Sequence, residues 1–207
     1  MKVAVIGKGN VGKALAPRIH NAAGHKAVYG VRDPSDPKYQ DGDGVPLATV
    51  ADAAREADAL ILAVHWGAVD AVLSECGPIA GKILIDCTNP LDFANGLAWQ
   101  IPNDTSAGEI VAGKTDARVV KAFNQVGADA MAQAGNYGMR PLQFAAGDDD
   151  EAKQKVLALM SDIGFDARDA GPLGFARDLE SMARLWIGQA FAGMDGATAW
   201  ALMTPGR

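Results

Sequence analysis

The first twelve residues limit what this chain can fold into more than any others. Lys2-Val3-Ala4-Val5-Ile6 is short, apolar and β-branched, the pattern of a strand buried on both faces of a parallel sheet. It runs straight into Gly7-Lys8-Gly9-Asn10-Val11-Gly12, a G-x-G-x-x-G motif that opens a helical stretch over 11–23. In that setting each glycine has a physical role: Gly7 permits the tight turn, Gly9 lets the backbone approach a pyrophosphate, and Gly12 lets helix and strand pack closely. The helix N-terminus adds free N–H groups and the positive end of its dipole. A glycine turn without a ligand is the alternative, but strand, motif and helix all agree on a dinucleotide site. Lys8, Asn10 and Val11 belong to it together with the glycines.

The rest of the chain continues the alternation. Pro17 lies inside the first helix and should kink it or distort its first turns. A strand over 26–31 follows, then an irregular loop over 32–46 that carries Pro34, Pro37, Gly42, Gly44 and Pro46. Thr49 and Asp52 resemble a capping box that starts a helix ending near residue 57. Strands are predicted over 59–64, 82–86 and 118–122, with helices over 67–75 and 105–111. Strands over 142–146 and 166–170 flank an amphipathic helix over 149–163. This order predicts an α/β chain: a Rossmann-type, doubly wound, mostly parallel sheet.

The C-terminal part has a different pattern. Leu179, Met182, Ala183, Trp186, Ile187, Ala190, Phe191 and Met194 follow i, i+3, i+4, i+7 spacing, so a long helix begins after Gly171-Pro172-Leu173-Gly174. Residues 1–207 are read as a single dinucleotide-binding domain, of which 171–207 form a helical extension. The apolar stripe either packs on the domain, walls a ligand pocket or forms a homodimer interface.

Charge and composition exclude several partners. A net charge of −6 and a pI near 5.0 argue against nucleic acid and anionic membrane surfaces. The longest purely apolar run, 59–64, is far shorter than the ~20 residues of a membrane span. Cys76 and Cys87 sit in apolar segments and suggest no disulfide framework. The chain begins on a strand with no room for a signal peptide, so a cytoplasmic location is expected.

The end of the second strand selects the dinucleotide. Tyr29-Gly30-Val31-Arg32-Asp33 offers a planar cation for a 2′-phosphate, with Ser35 and Lys38 as helpers. Asp33 competes as a ribose ligand, but Arg32 stands first, which favours NADP(H). Strand C-terminal ends place the remaining site at Val64-His65-Trp66, Thr88-Asn89-Pro90 and Ala122-Phe123-Asn124. His65 has no carboxylate nearby in sequence and reads as a pocket-lining residue. Cys87 reads as a core thiol. Asp148 with Glu151 reads as a helix cap and not a metal cluster. Asp41-Gly42-Asp43-Gly44 lacks calcium-loop spacing, and His20 and His25 have no zinc-type partners. No catalytic side chain and no metal ligand set is nominated. That suits hydride transfer, which needs two rings held about 3–3.5 Å apart and leaves the chemistry to cofactors.

Five segments occur in order: Val5-Ile6-Gly7-x-Gly9-Asn10-Val11-Gly12, the strand end with Arg32, Asp86-Cys87-Thr88-Asn89-Pro90-Leu91, Val120-Lys121-Ala122-Phe123-Asn124 and Asp169-Ala170-Gly171-Pro172-Leu173. Together they resemble the F420-dependent NADP oxidoreductases, which move a hydride between NADP(H) and the deazaflavin coenzyme F420. The resemblance covers essentially the whole chain. It implies that Gly7 to Gly12 hold the pyrophosphate and Arg32 the 2′-phosphate. It also implies that His65-Trp66 and Asn89-Pro90 lie along the cofactor, with Phe123-Asn124 where nicotinamide meets acceptor. Val31 departs from the Ser or Thr that members often carry before the arginine. The pattern also resembles the cytosolic domain of membrane metalloreductases that pass electrons from NADPH to a flavin. A non-catalytic NADP(H)-binding redox sensor is the competing reading from another class. Hydroxy-acid and imine-type dehydrogenases usually add a helical domain of about a hundred residues, for which the stretch after Ala170 is too short.

Overall fold

The computed structural model describes residues 1–40, 42–203 and 205. In the first half, β1 (Lys2–Ile6), α1 (Asn10–Asn21) and β2 (Lys26–Val31) are followed by β3 (Leu47–Thr49) and α2 (Val50–Glu56). Next come β4 (Ala59–Leu62), α3 (Val69–Cys76), β5 (Ile83–Asp86) and a small hairpin of β6 (Leu91–Asp92) and β7 (Ala98–Trp99). The second half holds α4 (Ala107–Ala112), β8 (Arg118–Lys121) and α5 (Ala128–Ala132). It ends with β9 (Leu142–Gly147), α6 (Asp150–Asp162), β10 (Asp166–Gly171) and α7 (Ala176–Phe191).

Eight strands form one sheet in the order β10-β9-β8-β5-β4-β1-β2-β3. The chain leaves β1 for β2 on one side and returns to β4 on the other, so a crevice opens above the C-terminal ends of β1 and β4. Six strands run parallel, but β9 pairs antiparallel with β8, and β10 runs parallel to β9. The sheet is therefore mostly parallel, as the alternation predicts, with the last two strands reversed. Their side chains satisfy either direction, and strand direction is set by the connection over 122–141. The short strand β3, the β6–β7 pair and α5 are also absent from the sequence reading.

Both faces are covered. Leu15, Ile19, Met131, Val156 and Phe165 pack one face, while Val50, Ala53, Val69 and Val111 pack the other. A fully buried leucine or isoleucine of this kind contributes about 1.5–3 kcal/mol. Helix α1 runs through Pro17 and stops at Asn21, with Gly24 at φ +79 turning the chain into β2. Thr49 caps α2 as the sequence implies, accepting from the Asp52 amide at 3.1 Å. The cap of α6 is one residue later than expected: Asp149 accepts from the Ala152 amide, and Asp148 instead accepts from the Leu173 amide at 2.8 Å. Of the α7 stripe, Leu179, Ala183 and Trp186 are buried within the chain, while Phe191 is exposed. No helix of the described residues is long and apolar enough to cross a membrane.

Candidate functional site

The crevice at the switch point is a cleft of about 830 Å³, within the usual size of a cofactor site. Its floor is the glycine turn. Gly7 adopts φ +103, and a Cβ there would lie 2.6 Å from the Ala63 carbonyl oxygen. A Cβ on Gly12 would lie 2.1 Å from the Gly7 carbonyl oxygen, so α1 seats on the turn only because Gly12 has no side chain. Gly9 is different: nothing lies within 4 Å of its Cβ position, and it caps α1 without a side-chain hydrogen bond. The first N–H groups of α1 therefore have no side-chain cap at a place where the backbone is open to a ligand.

Gly7, Gly9, Asn10, Val11, Val64, His65, Trp66 and Asn89 all line the cleft. Gly12 lies behind the turn, and Pro90 is buried beneath the loop. Asn89 is fixed by a reciprocal pair: its Nδ2 donates to the Asn124 carbonyl, and its Oδ1 accepts from Asn124 Nδ2, both at 3.0 Å. Gln125 donates to Asn124 Oδ1 at 2.7 Å and ties it to β9 through the Phe144 backbone. Thus Asn124 supports the site from behind. Ala122 and Phe123 do not face the cleft at all. Phe123 takes a left-handed backbone (φ +59), and its buried ring meets Phe165 edge-on at 5.8 Å. The strand-end rule located the segment, but the strained turn sends the ring into the core.

Lys8 is a second correction. Its side chain is only 1% exposed and leaves the cleft for the far side of the turn. Arg32 is exposed at the end of β2, where the neighbouring Gly30 carbonyl accepts from the Gly7 amide at 3.0 Å. Ser35 donates its hydroxyl to Asp33 at 2.6 Å, and Lys38 pairs with Asp36 at 2.6 Å. The Ser35 hydroxyl and amide hold the Asp33 carboxyl below its ordinary range. Asp41 lies outside the described residues, while Asp43 pairs with protein groups.

The outer wall was not foreseen. Leu91, Asp92, Phe93, Ala94 and Gln100 of the β6–β7 hairpin line the cleft. The signal was present in Asn95-Gly96, a turn dipeptide. Asp92 accepts from the amides of Ala94 and Asn95 and from Asn95 Nδ2. On the outside, Arg177 and Arg184 stack on Trp99 at 4.7 and 5.9 Å, and Arg184 Nε donates to the Leu97 carbonyl. Phe93 meets Phe191 of α7 edge-on at 6.3 Å. Helix α7 thereby braces the hairpin.

Below the 87–90 loop lies a buried charge cluster, also unforeseen. Lys121 Nζ is 2.9 Å from both Asp86 and Glu180, all three side chains being fully buried, and it donates to the Thr88 carbonyl. Glu180 also accepts from the Ala107 and Gly108 amides of α4. Burial alone would lower the Lys121 ammonium, but Asp86 and Glu180 outweigh it and leave it raised. Cys87 borders the cleft, yet burial pushes its thiol far up, and burial with Glu75 nearby pushes Cys76 up to about 11. Neither is a ready nucleophile at neutral pH. Among the described residues no group of three or more His, Cys, Asp or Glu gathers in metal-binding geometry.

Known proteins share this architecture. A family model described as NADP oxidoreductase, coenzyme F420-dependent, matches residues 2–90. The F420-dependent NADP reductase of Methanothermobacter marburgensis is 32% identical, the match covering 90% of this chain and 91% of that protein. The metalloreductase STEAP3 of Rattus norvegicus is 31% identical over 87% of this chain, which spans only 36% of that longer protein. A crystal structure from Arthrobacter sp. FB24, of a protein assigned as an F420-dependent NADP reductase, superposes with a TM-score of 0.87 at 30% identity, covering 99% of this chain and 100% of that one.

Proposed function

The chain belongs to the coenzyme F420-dependent NADP oxidoreductase family, and from that premise we propose that it transfers a hydride between NADP(H) and coenzyme F420 in the cleft above β1 and β4. The observation that carries the nucleotide half is the open Gly9 at the uncapped start of α1, with an exposed arginine at the end of β2. These residues fit a dinucleotide: a Cβ has room at Gly9, so a pyrophosphate can lie against the backbone there. Bound NADPH supplies the hydride. The chain binds, orients and shields.

In this reading the turn 7–12 and the N–H groups of α1 hold the pyrophosphate. Arg32 takes the 2′-phosphate, with Ser35 and Lys38 within its segment. Val64, His65, Trp66 and Asn89 flank the nicotinamide end, and Asn124 keeps Asn89 from rotating away. The braced hairpin, with Phe93 just after β6, closes the acceptor side against water. No side chain is required as acid, base or nucleophile.

A second reading is favoured by the similarity to the rat metalloreductase: electrons from NADPH would pass to a flavin or ferric acceptor. Anaerobic NADPH oxidation with coenzyme F420, FMN, FAD and ferric chelates side by side, with NADH as control, separates the two. Fast turnover with F420 alone is expected. Turnover confined to flavin or ferric iron overturns the F420 assignment in favour of the second reading. Tight NADPH binding without turnover overturns both and leaves a sensor.

A further inference from the structure

The lysine inside the glycine motif is held away from the ligand. Lys8 Nζ donates to the Tyr39 carbonyl at 2.9 Å, pairs with Asp43 at 3.3 Å and lies 4.5 Å above the Tyr29 ring. Tyr29 in turn donates its hydroxyl to Asp43 at 2.8 Å. Tyr39 and Asp43 both belong to the irregular segment between β2 and β3, and that segment is rooted at Arg32. Its return to the sheet is fixed by the Tyr29 amide on the Pro46 carbonyl at 2.8 Å. One buried ammonium therefore ties the glycine turn, the middle of β2 and the far limb of the Arg32 segment together.

We propose that Lys8 is a specificity-determining residue for NADPH over NADH, acting as a positioning residue through a Lys8–Asp43–Tyr29–Tyr39 latch that pre-orders the Arg32 segment. NADPH and NADH share every group except the 2′-phosphate, so a residue that orders only the segment facing that phosphate changes their ratio. Few apolar side chains anchor this segment: Val45 is buried and Tyr39 partly so. A segment ordered before binding does not have to be ordered by the ligand, and the difference appears as affinity. The inference rests on the assignment of Arg32 to the 2′-phosphate.

The test measures dissociation constants for NADPH and NADH, by titration of dinucleotide fluorescence, in wild type, Lys8→Met, Lys8→Arg, Asp43→Asn, Arg32→Ala and the Lys8→Met/Arg32→Ala double variant. Thermal melts confirm that each is folded. The latch predicts that Lys8→Met and Asp43→Asn each weaken NADPH about tenfold, a 1.4 kcal/mol effect, while NADH stays within about twofold. Lys8→Arg keeps the cation and the preference, and the double variant is no weaker than Arg32→Ala. Equal weakening of both dinucleotides by Lys8→Met overturns the latch, because it means Lys8 serves the shared pyrophosphate. Tighter NADPH binding by Asp43→Asn also overturns it, because the freed ammonium would then be reading the phosphate directly. Where Arg32→Ala leaves the NADPH preference intact, the 2′-phosphate assignment itself falls; where only the Lys8 and Asp43 variants are silent, that assignment stands and the latch falls. If Lys8→Met does not fold, Asp43→Asn and Lys8→Arg decide the matter.

Discussion

At the scale of single residues, three glycines in one motif carry different loads, and substitution separates them. Gly9→Ala should leave stability within about 0.5 kcal/mol, since its Cβ meets nothing, yet it should sharply weaken NADPH binding by filling the approach to the backbone. Gly12→Ala should do the reverse in order of cause, lowering the denaturation midpoint because its Cβ collides with the Gly7 carbonyl. Paired denaturant melts and NADPH titrations check both; a Gly9→Ala variant that binds NADPH normally contradicts the placement of the pyrophosphate. Arg32→Ala should cost about 1.5–3 kcal/mol of NADPH affinity, the scale of charge-assisted hydrogen bonds, with little change for NADH. The tight turn at Gly7 and the close packing at Gly12 were legible in the sequence because the motif states its own backbone demands. The path of Lys8 was not, since nothing local says that an ammonium between two glycines will turn back under a segment thirty residues on.

At the scale of elements, the β6–β7 hairpin and α7 form one unit over the cleft. Arg184→Ala removes the Leu97 carbonyl contact and half of the Trp99 stack. It should raise KM for the acceptor several-fold while the NADPH dissociation constant holds, a split that steady-state kinetics and direct titration resolve. The Lys121 cluster fastens β5, β8, α4 and α7 beneath that unit. Lys121→Met leaves Asp86 and Glu180 buried without their cation and should destabilise the protein by about 3–5 kcal/mol, the usual cost of orphaning a buried charge. Equilibrium unfolding measures it, and a loss below about 1 kcal/mol would contradict the burial. The sequence held a clue, because β5 and β8 both end on a charged residue and Asp86 faces Lys121 in register. The partner Glu180 was hidden, as an acidic residue on an amphipathic helix ordinarily faces water. The reversed direction of β9 and β10 was hidden for a different reason: buried strands show no direction in their side chains.

For the molecule as a whole, the buried titrating groups act in the same sense. Cys76 and Cys87 hold their protons more tightly folded than unfolded, so folding loses ground as pH rises above the ordinary thiol value of about 8.5. Lys121 adds to this above about 10.4, its contribution being fully present below the unfolded lysine value and lost as pH climbs through the raised native one. Thermal midpoints should therefore be level on the neutral side and fall through the alkaline range. A midpoint unchanged to pH 11 would contradict the burial of these groups. The doubly wound architecture and its switch-point cleft followed from the alternation of strands and helices, whereas the outer wall of the cleft did not, because its two-residue strands are too short to leave a periodic signal.

In the proposed function the cleft aligns NADP(H) for direct hydride transfer to a deazaflavin. Single-turnover reaction of C4-deuterated NADPH with coenzyme F420 under anaerobic conditions, in ordinary water, tests it most directly. The label from one face of the nicotinamide should be recovered in the reduced deazaflavin. Label appearing in solvent, or reduced nucleotide left unreacted while a flavin or ferric acceptor is consumed, would contradict it.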